Sequence, residues 1–247
     1  MARTGIDWAD VTINPITGCR NFENPEICGD YCYAAKMARR LKGRFGYPAD
    51  DPFRPTFHPE RLQEINWKRS KTPSRIFLNS MSDWLGEGVD PNWIQQIIEA
   101  VSQNGDDIFL VLTKRPERIL EMLHCLALPE NLWWGVSVTK QEDLWRIAAL
   151  RDALPGAHKF VSFEPLHGPI VESDEILIWL DSIEWAIIGA ESGRRVGRIE
   201  PEFSWIDHLA AMVMRAAVPL FIKDNVFEFF QCAMDHRHLR QFPEAMS

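Results

Sequence analysis

The sequence lacks the features that would assign it to a membrane-spanning, secreted or disordered class. No uncharged apolar run approaches the roughly 18 residues that a transmembrane helix needs, and the first ten residues contain no apolar segment typical of a secretory signal. Low-complexity segments are absent, and 46% hydrophobic with 25% charged residues is an ordinary globular composition. We therefore expect a globular, cytoplasmic protein that has no membrane partner.

Cysteine is scarce, with five in 247 residues. An odd number in a reducing compartment argues against disulfides, so a cluster of cysteines indicates metal binding or catalysis. Cys19, Cys28 and Cys32 form such a cluster, spaced Cys-x8-Cys-x3-Cys. These donors favour a soft metal centre, and the residues alone leave an iron–sulfur cluster, zinc and unligated thiols open. We expect Cys125 and Cys232 to be packed thiols.

Basic residues are fewer than acidic ones, which gives a net charge of −8, but the basic and acidic residues are unevenly distributed along the chain. Residues 1–75 hold 13 Lys and Arg against 9 Asp and Glu, whereas the remainder holds 14 against 26. Arg39, Arg40, Lys42 and Arg44 lie at the end of a predicted helix. They either complement the helix dipole or form a basic lip for a phosphate-bearing substrate. In an acidic protein such a lip has to act locally.

Short apolar runs alternate with segments of helical period from residue 76 onward. The runs occupy residues 76–78, 108–112, 132–138, 159–163, 185–188 and 219–222. Each run is continuous, as expected for strands covered on both faces, and their alternation with helices predicts parallel βαβ units. With a further strand near Asp10–Ile13, the predicted fold is α/β: a partial (β/α)6-7 TIM-like barrel of parallel strands with outer helices.

We expect a single domain over residues 1–247, with three notable segments. The cysteine segment, residues 17–34, leads into a helix that begins near Tyr31. Residues 44–59 form a Pro-rich loop too long for a simple connection, which is typical of a lid or binding loop. Residues 226–247 are predicted to form a C-terminal helical extension. Pro91 and Pro116 stand where helices are expected to begin.

Polar residues follow each apolar run. The segments are Asn79-Ser80-Met81-Ser82-Asp83, Thr113-Lys114-Arg115, Ser137-Val138-Thr139, Ser162-Phe163-Glu164-Pro165, Gly189-Ala190-Glu191-Ser192 and Lys223-Asp224-Asn225. The carboxyl ends of barrel strands converge on one face, so these segments predict an active-site rim. Its opposite charges suit a zwitterionic or phosphorylated ligand. Taken singly, Ser82, Asp83 and Ser192 are interpreted as loop residues or helix caps, and His167 is the histidine expected nearest the rim.

The ordered set of motifs resembles a known superfamily. The motifs are Thr17-Gly18-Cys19, Cys32-Tyr33-Ala34, His58-Pro59-Glu60-Arg61-Leu62, Leu112-Thr113-Lys114-Arg115-Pro116, Gly135-Val136-Ser137-Val138 and the strand ends at 79–83, 160–166 and 189–193. Three cysteines after the first strand, with an aromatic residue before the last, resemble the radical S-adenosylmethionine (radical SAM) superfamily. More closely, the set resembles a phage- and prophage-associated family of radical-SAM-like proteins of unassigned function, related in pattern to spore photoproduct lyases. Both gaps between the cysteines are longer than is usual there.

The resemblance implies a cofactor site. Cys19, Cys28 and Cys32 would hold a [4Fe–4S] cluster, and the amino and carboxylate groups of SAM would bind its fourth iron. Side chains with implied roles toward SAM are Tyr31 for adenine, Asn79 and Ser80 for the amino group, Lys114 for the carboxylate and Ser137 for the ribose. Glu164 and Glu191 are rim carboxylates that would face the ribose, the methionine or the substrate.

The resemblance further implies an enzyme that cleaves SAM to a 5′-deoxyadenosyl radical, which abstracts hydrogen from a substrate. The expected substrate is a nucleobase, a nucleotide or DNA, and the expected electron donor is of the flavodoxin or ferredoxin type. Two alternatives stay open. One is a non-catalytic partner protein that binds zinc or an iron–sulfur cluster on the same barrel. The other is a metal-independent enzyme in which Lys114 and Glu164 act as acid and base.

Overall fold

Strands and helices alternate along the chain as the sequence predicts. The computed structural model describes residues 4–67, 72–123, 126–193, 195–228 and 239–246. The predicted packed thiols Cys125 and Cys232, and residues 229–238 of the predicted C-terminal extension, lie outside these ranges. The chain divides into two compact units, Met1–Trp133 and Trp134–Ser247, which are described in turn.

The strands are β1 Val11–Thr12, β2 Ile16–Thr17, β3 Thr56–Phe57, β4 Arg75–Phe77, β5 Ile108–Thr113, β6 Leu132–Ser137, β7 Lys159–Phe163, β8 Trp185–Ile188 and β9 Leu220–Ile222. The helices are α1 Tyr33–Arg40, α2 Leu62–Ile65, α3 Pro91–Ser102, α4 Ile119–Met122, α5 Trp145–Ala153, α6 Asp174–Leu180, α7 Phe203–Arg215 and α8 Asp224–Phe227. The main sheet has the order β1-β4-β5-β6-β7-β8-β9, and β2 and β3 form a separate antiparallel pair. No helix in the described ranges is long and apolar enough to cross a membrane.

In the first unit, β1, β4 and β5 pair in parallel, with Val11 opposite Ile76 and Ile76 opposite Phe109. The helix predicted from Pro91 is α3, whose N-cap Asp90 accepts a hydrogen bond from the Asn92 N–H. It buries Ile94, Ile97, Ile98 and Val101, the spacing of one helix face. The helix predicted from Pro116 is shorter than expected, because a 3₁₀ turn over Pro116–Arg118 precedes the four-residue α4.

In the second unit, β6, β7, β8 and β9 pair in parallel. All residues of these four strands are buried, which explains why their sequence is continuously apolar rather than alternating. Helix α7 buries Ile206, Leu209 and Val213 on one face. The centre of the Trp185 ring on β8 lies 5.8 Å from that of Phe160 on β7 and 6.2 Å from that of Phe221 on β9.

Candidate functional site

The first cysteine is held where the chain leaves β2. Gly18 has a φ of +86°, and a Cβ at this position would lie 2.2 Å from the Arg54 carbonyl oxygen. The Gly18 N–H donates to the Met81 carbonyl at 2.9 Å, and the Cys19 N–H donates to the Phe53 carbonyl at 3.0 Å. The Pro-rich loop predicted over residues 44–59 therefore packs directly against the start of the cysteine segment.

The three thiols differ in their surroundings. Cys19 and Cys28 are buried and Cys32 is half-buried. The Cys32 thiol donates a hydrogen bond to Cys28, and its sulfur caps α1 by accepting from the Ala35 N–H at 3.5 Å. The Cys19 sulfur accepts from the Asn21 N–H at 3.3 Å, and burial raises the pKa of the Cys19 thiol. The predicted helix thus begins at Tyr33, with a cysteine as its cap.

Lys114, at the end of β5, brings a positive charge to the second cysteine. Its Nζ lies 3.5 Å from the Cys28 sulfur and 2.9 Å from the Tyr31 hydroxyl, and 4.7 Å from the centre of the Tyr31 ring. The hydrogen bond from Cys32 and the charge of Lys114 lower the pKa of Cys28 to about 5. The Lys114 ammonium therefore lies beside the Cys28 thiol, with Tyr31 in contact with both.

Asp83 connects the cysteine segment to the end of β5, and sequence reasoning missed this role. Its buried carboxylate accepts hydrogen bonds from the Thr113 hydroxyl at 2.8 Å, the Lys114 N–H at 2.9 Å, the Leu85 N–H at 3.1 Å and the Asn21 amide at 2.8 Å. Burial raises the pKa of Asp83. Asp83 does not cap a helix, because its partners come from three separate segments; its bond from the Leu85 N–H, two residues later, is the loop contact that was the other expectation for this residue.

Asn14, immediately after the first strand, is a second residue that sequence reasoning missed. Its amide donates to the Ser80 hydroxyl at 3.0 Å, and its oxygen accepts from the Met81 N–H at 2.9 Å. The Tyr33 hydroxyl donates to the Ser80 carbonyl. Asn79, next to Ser80, has both ends of its amide bonded to the backbone of Leu112. Asn14 is a polar residue that follows β1, just as polar residues follow the other strands. The same pattern in the sequence would have identified it.

In the second unit, Glu164 forms an ion pair with Lys223. These residues follow β7 and β9, and Gly189 at the end of β8 leaves room for them. A Cβ at Gly189 would lie 2.7 Å from the Glu164 carboxyl carbon and 2.9 Å from the Lys223 side chain. Two of the predicted rim charges are therefore brought together, and both side chains are largely shielded from solvent.

The Glu191 carboxylate is buried and held by two hydrogen bonds from Arg195, at 2.7 and 2.9 Å. His167 Nε2 lies 3.8 Å from the same carboxylate, so the histidine expected near the rim does lie beside a predicted rim residue. No sequence signal pointed to Arg195. Ser137 is buried at the end of β6, where its carbonyl accepts from Arg146 at 2.8 Å.

The donor set can be tested against the two metals that the sequence left open. Structural zinc takes four protein ligands, whereas this segment contains three cysteines, and within the described ranges no three Cys, His, Asp or Glu side chains are already arranged to hold a metal ion. His58, the histidine nearest in sequence, is hydrogen-bonded to the Thr17 hydroxyl at 2.7 Å. Three thiols in one segment match, in donor type and number, what a cluster with one open iron takes from a protein.

Comparison with solved structures shows the fold. The chain is similar to a cysteine-to-serine variant of spore photoproduct lyase, with a TM-score of 0.52 and 12% identity. It is also similar to a double variant of that lyase with bound AdoMet and dinucleoside spore photoproduct, with a TM-score of 0.53 and 11% identity. Each match covers 93% of this chain and 76% of the lyase. The predicted fold class is confirmed: an α/β partial TIM-like barrel of parallel strands with outer helices.

A comparison with curated proteins gave no match. A family model described as "Protein of unknown function (DUF5131)" matches residues 3–239. This range contains all three clustered cysteines and the strand ends that carry the polar residues described above. The chain therefore belongs to the DUF5131 family of proteins of unknown function.

Proposed function

We propose that this protein is a radical SAM enzyme. The observation that carries the proposal is the grouping of Cys19, Cys28 and Cys32 in one segment, with the Lys114 ammonium 3.5 Å from the Cys28 sulfur. The grouping occurs on a fold like that of spore photoproduct lyase, which has been solved with bound AdoMet. The resemblance to the phage-associated radical-SAM-like family supports the same function.

The three cysteines would hold a [4Fe–4S] cluster. When bound, the cluster supplies the electron that cleaves SAM into methionine and a 5′-deoxyadenosyl radical. The surrounding residues position the ligands and exclude water. Asp83 contributes by accepting hydrogen bonds from both Asn21 of the cysteine segment and the Lys114 backbone, so it fixes the two relative to each other.

Four residues of the first unit have roles toward SAM in this proposal. The Lys114 ammonium would bind the carboxylate, and Tyr31, which is in contact with Lys114, would pack against the adenine. Ser80 would receive the amino group, with its hydroxyl oriented by Asn14. Asn79 would act by holding the strand end that carries Ser80, since its amide is bonded to the backbone of Leu112.

Three residues of the second unit have proposed roles of their own. Ser137 would bind the ribose. Glu164 and Glu191 would receive polar groups of SAM or of the substrate, and each is charge-compensated by one basic partner, Lys223 and Arg195 respectively. The oxygens of a carboxylate held in this way can accept hydrogen bonds from hydroxyl or amino groups.

The proposed substrate class is a nucleobase, nucleotide or DNA. Spore photoproduct lyase has been solved with a dinucleoside spore photoproduct, which supports this class. The proposed electron donor is a flavodoxin- or ferredoxin-type protein.

The test is anaerobic reconstitution with iron and sulfide, followed by reduction with dithionite and assay of 5′-deoxyadenosine. We expect a cluster in the wild type and a loss of both cluster and product in the combined Cys19→Ala, Cys28→Ala and Cys32→Ala variant. The matched control, Cys125→Ala with Cys232→Ala, should retain both. A fully loaded cluster that cleaves no SAM would overturn the proposal. Stoichiometric zinc without iron would favour the non-catalytic partner protein instead.

A second measurement tests the role of Lys114. We expect Lys114→Gln to raise the KM for SAM by about tenfold or more, because it removes a charge-assisted hydrogen bond. Lys140→Gln, an equivalent change elsewhere, should leave KM unchanged. Activity that survives loss of all three cysteines but disappears in Lys114→Gln would instead support the metal-independent acid–base enzyme.

A further inference from the structure

Helix α1 and the turn after it expose a basic surface. The helix buries Ala34, Ala35 and Ala38 on its inner face. The outer face and the turn expose Tyr33, Lys36, Met37, Arg39, Arg40, Lys42, Arg44 and Phe45, which together are called the α1 basic surface. It combines five positive charges with two aromatic rings.

The charges of this surface are uncompensated within the described part of the chain. Every other arginine there lies within 4.0 Å of a carboxylate oxygen, including the exposed Arg54 and Arg215 and the half-buried Arg151. Among the residues that the structure describes, none of the five basic residues of the α1 basic surface has such a partner. In a chain with a net charge of −8, acidic side chains are available, so this is a local segregation of charge. Unpaired clustered cations suit an external polyanion.

The helix dipole accounts for only part of this charge. Favourable interaction with the C-terminal end of a helix is confined to the last turn. Arg39 and Arg40 lie in the last turn of α1. Lys36 lies a turn earlier, whereas Lys42 and Arg44 follow the end of the helix. Three of the five charges therefore need another explanation.

Phe45 provides a second, independent observation. It is 74% exposed and has a φ of +51°, a left-handed conformation that is unfavourable for a bulky side chain. Hydrogen bonds hold this turn: Arg61 Nη2 donates to the Phe45 carbonyl at 2.7 Å, and the Gly43 N–H donates to the Tyr47 carbonyl at 3.0 Å. Strain of this kind persists only where neighbouring contacts impose it, and it concentrates at binding sites. The turn thus fixes an exposed aromatic ring among cations.

We propose that the α1 basic surface binds single-stranded nucleic acid, with its cations on the phosphates and Phe45 stacked on an unpaired base. Cationic grooves with exposed aromatic rings bind single strands in this way. The surface begins next to the cysteines, since Cys32 caps α1 and the Tyr33 hydroxyl donates to the Ser80 carbonyl. If the proposed function holds, on which this step rests, the substrate is a base within a polynucleotide rather than a free nucleotide.

The first experiment measures the salt dependence of binding by fluorescence anisotropy, using labelled single-stranded DNA and RNA of the same sequence, each of about 20 nucleotides. Five phosphate contacts predict a slope of log K against log salt of about −3.5. The combined Arg39→Gln, Arg40→Gln and Arg44→Gln variant should reduce this slope by about 2. The matched control removes three paired arginines, as Arg54→Gln, Arg151→Gln and Arg215→Gln, and should keep the wild-type slope.

The second experiment tests the ring. Phe45→Gly removes the side chain and accepts the positive φ without strain, so a folding failure does not obscure the result. We expect Phe45→Gly to bind the oligonucleotide about tenfold more weakly at an unchanged salt slope, because base stacking involves no charge. Phe45→Trp should retain binding, because it keeps an aromatic ring. Equal binding by wild type and the three-arginine variant would overturn the proposal. Wild-type oligonucleotide affinity in Phe45→Gly would also overturn it. So would stronger binding of the wild type to anionic lipid vesicles or polyglutamate than to the oligonucleotides.

These outcomes are separable from those of the proposed function. Cleavage of SAM measured without nucleic acid should be unchanged in Phe45→Gly and in the three-arginine variant, because neither removes a residue assigned to SAM. A protein that binds single strands with the expected salt slope but cleaves no SAM would refute the proposed radical SAM function. The proposed binding of nucleic acid by the α1 basic surface would still stand. SAM cleavage at the wild-type level without oligonucleotide binding would refute only the proposal that the α1 basic surface binds nucleic acid.

Discussion

Asn79 and Leu112 are joined by two hydrogen bonds. The Asn79 amide donates to the Leu112 carbonyl at 2.6 Å, and its oxygen accepts from the Leu112 N–H at 3.0 Å. Strand pairing of β4 with β5 ends at Phe77 opposite Leu110, so the side chain continues the ladder beyond the strand. In the second unit, Asn225 makes the same pair of bonds to Ala190, at 2.6 and 3.2 Å. Amide side chains thus hold the strand ends that carry the proposed site residues.

Replacing Asn79 with Ala should lower the free energy of unfolding by about 2 kcal/mol, because it leaves two backbone groups of Leu112 without partners. Urea unfolding measures the change. Asn92→Ala, at an exposed position, should cost less than about 0.5 kcal/mol. An Asn79→Ala protein of wild-type stability with weakened SAM binding would instead assign this amide to the cofactor.

Asp83→Asn should destabilise the protein by about 2 kcal/mol or more, because the new amide group faces the donors Asn21 and Lys114 N–H, which then lose their acceptor. The midpoint of thermal unfolding should fall accordingly. Asp90→Asn is the control, since asparagine caps a helix as well as aspartate. Equal stability of the two variants would show that Asp83 does not hold the cysteine segment to the end of β5.

Gly18→Ala should cost about 3 kcal/mol or more. An alanine at this positive φ is strained, and its Cβ would have to displace the Arg54 backbone. Chemical denaturation measures the loss, and reconstitution of the variant should retain less iron because Cys19 is adjacent. Gly168→Ala, where a Cβ meets nothing within 4 Å, should be nearly neutral. A stable, fully loaded Gly18→Ala protein would contradict this account of the turn.

The stability of the protein should depend on His58 below neutral pH. Burial and the charge of Arg61 lower the pKa of His58 to about 4, against the opposing effect of Glu60. The imidazole is therefore neutral when folded but gains a proton near pH 6.5 when unfolded. Its stabilising contribution is complete above about pH 6.5, decreases as the pH falls toward 4 and changes little below that value.

Unfolding in urea at about pH 7 and about pH 5 should show a loss of about 1 to 2 kcal/mol from this residue. The pH dependence should be shallower in His58→Gln, which has no titratable ring and can still hydrogen-bond Thr17. The exposed His208→Gln serves as the control. Parallel pH profiles for wild type and His58→Gln would contradict the prediction.

The sequence alone determined the main strands closely. The runs predicted over residues 159–163 and 185–188 are β7 and β8 without change. A strand buried on both faces has to be apolar throughout, and that requirement is visible in a few consecutive residues. The short α4 was not predictable in this way, because a helix of one turn depends on tertiary contacts rather than on its own periodicity.

The cysteine spacing and the polar strand ends were also visible in the sequence, and the structure brings three of the residues that they indicated, Cys28, Tyr31 and Lys114, into contact. Only the tertiary structure decided which groups pair within it. Lys114 reaches Cys28 across 86 residues of chain, and Asp83 reaches Asn21 across 62. It also decided that, among the described residues, the cations of the α1 basic surface have no carboxylate partner while the other arginines do. Such pairings join residues that are far apart in the sequence. They depend on how the folded chain brings distant segments together, which the local composition of a segment does not determine.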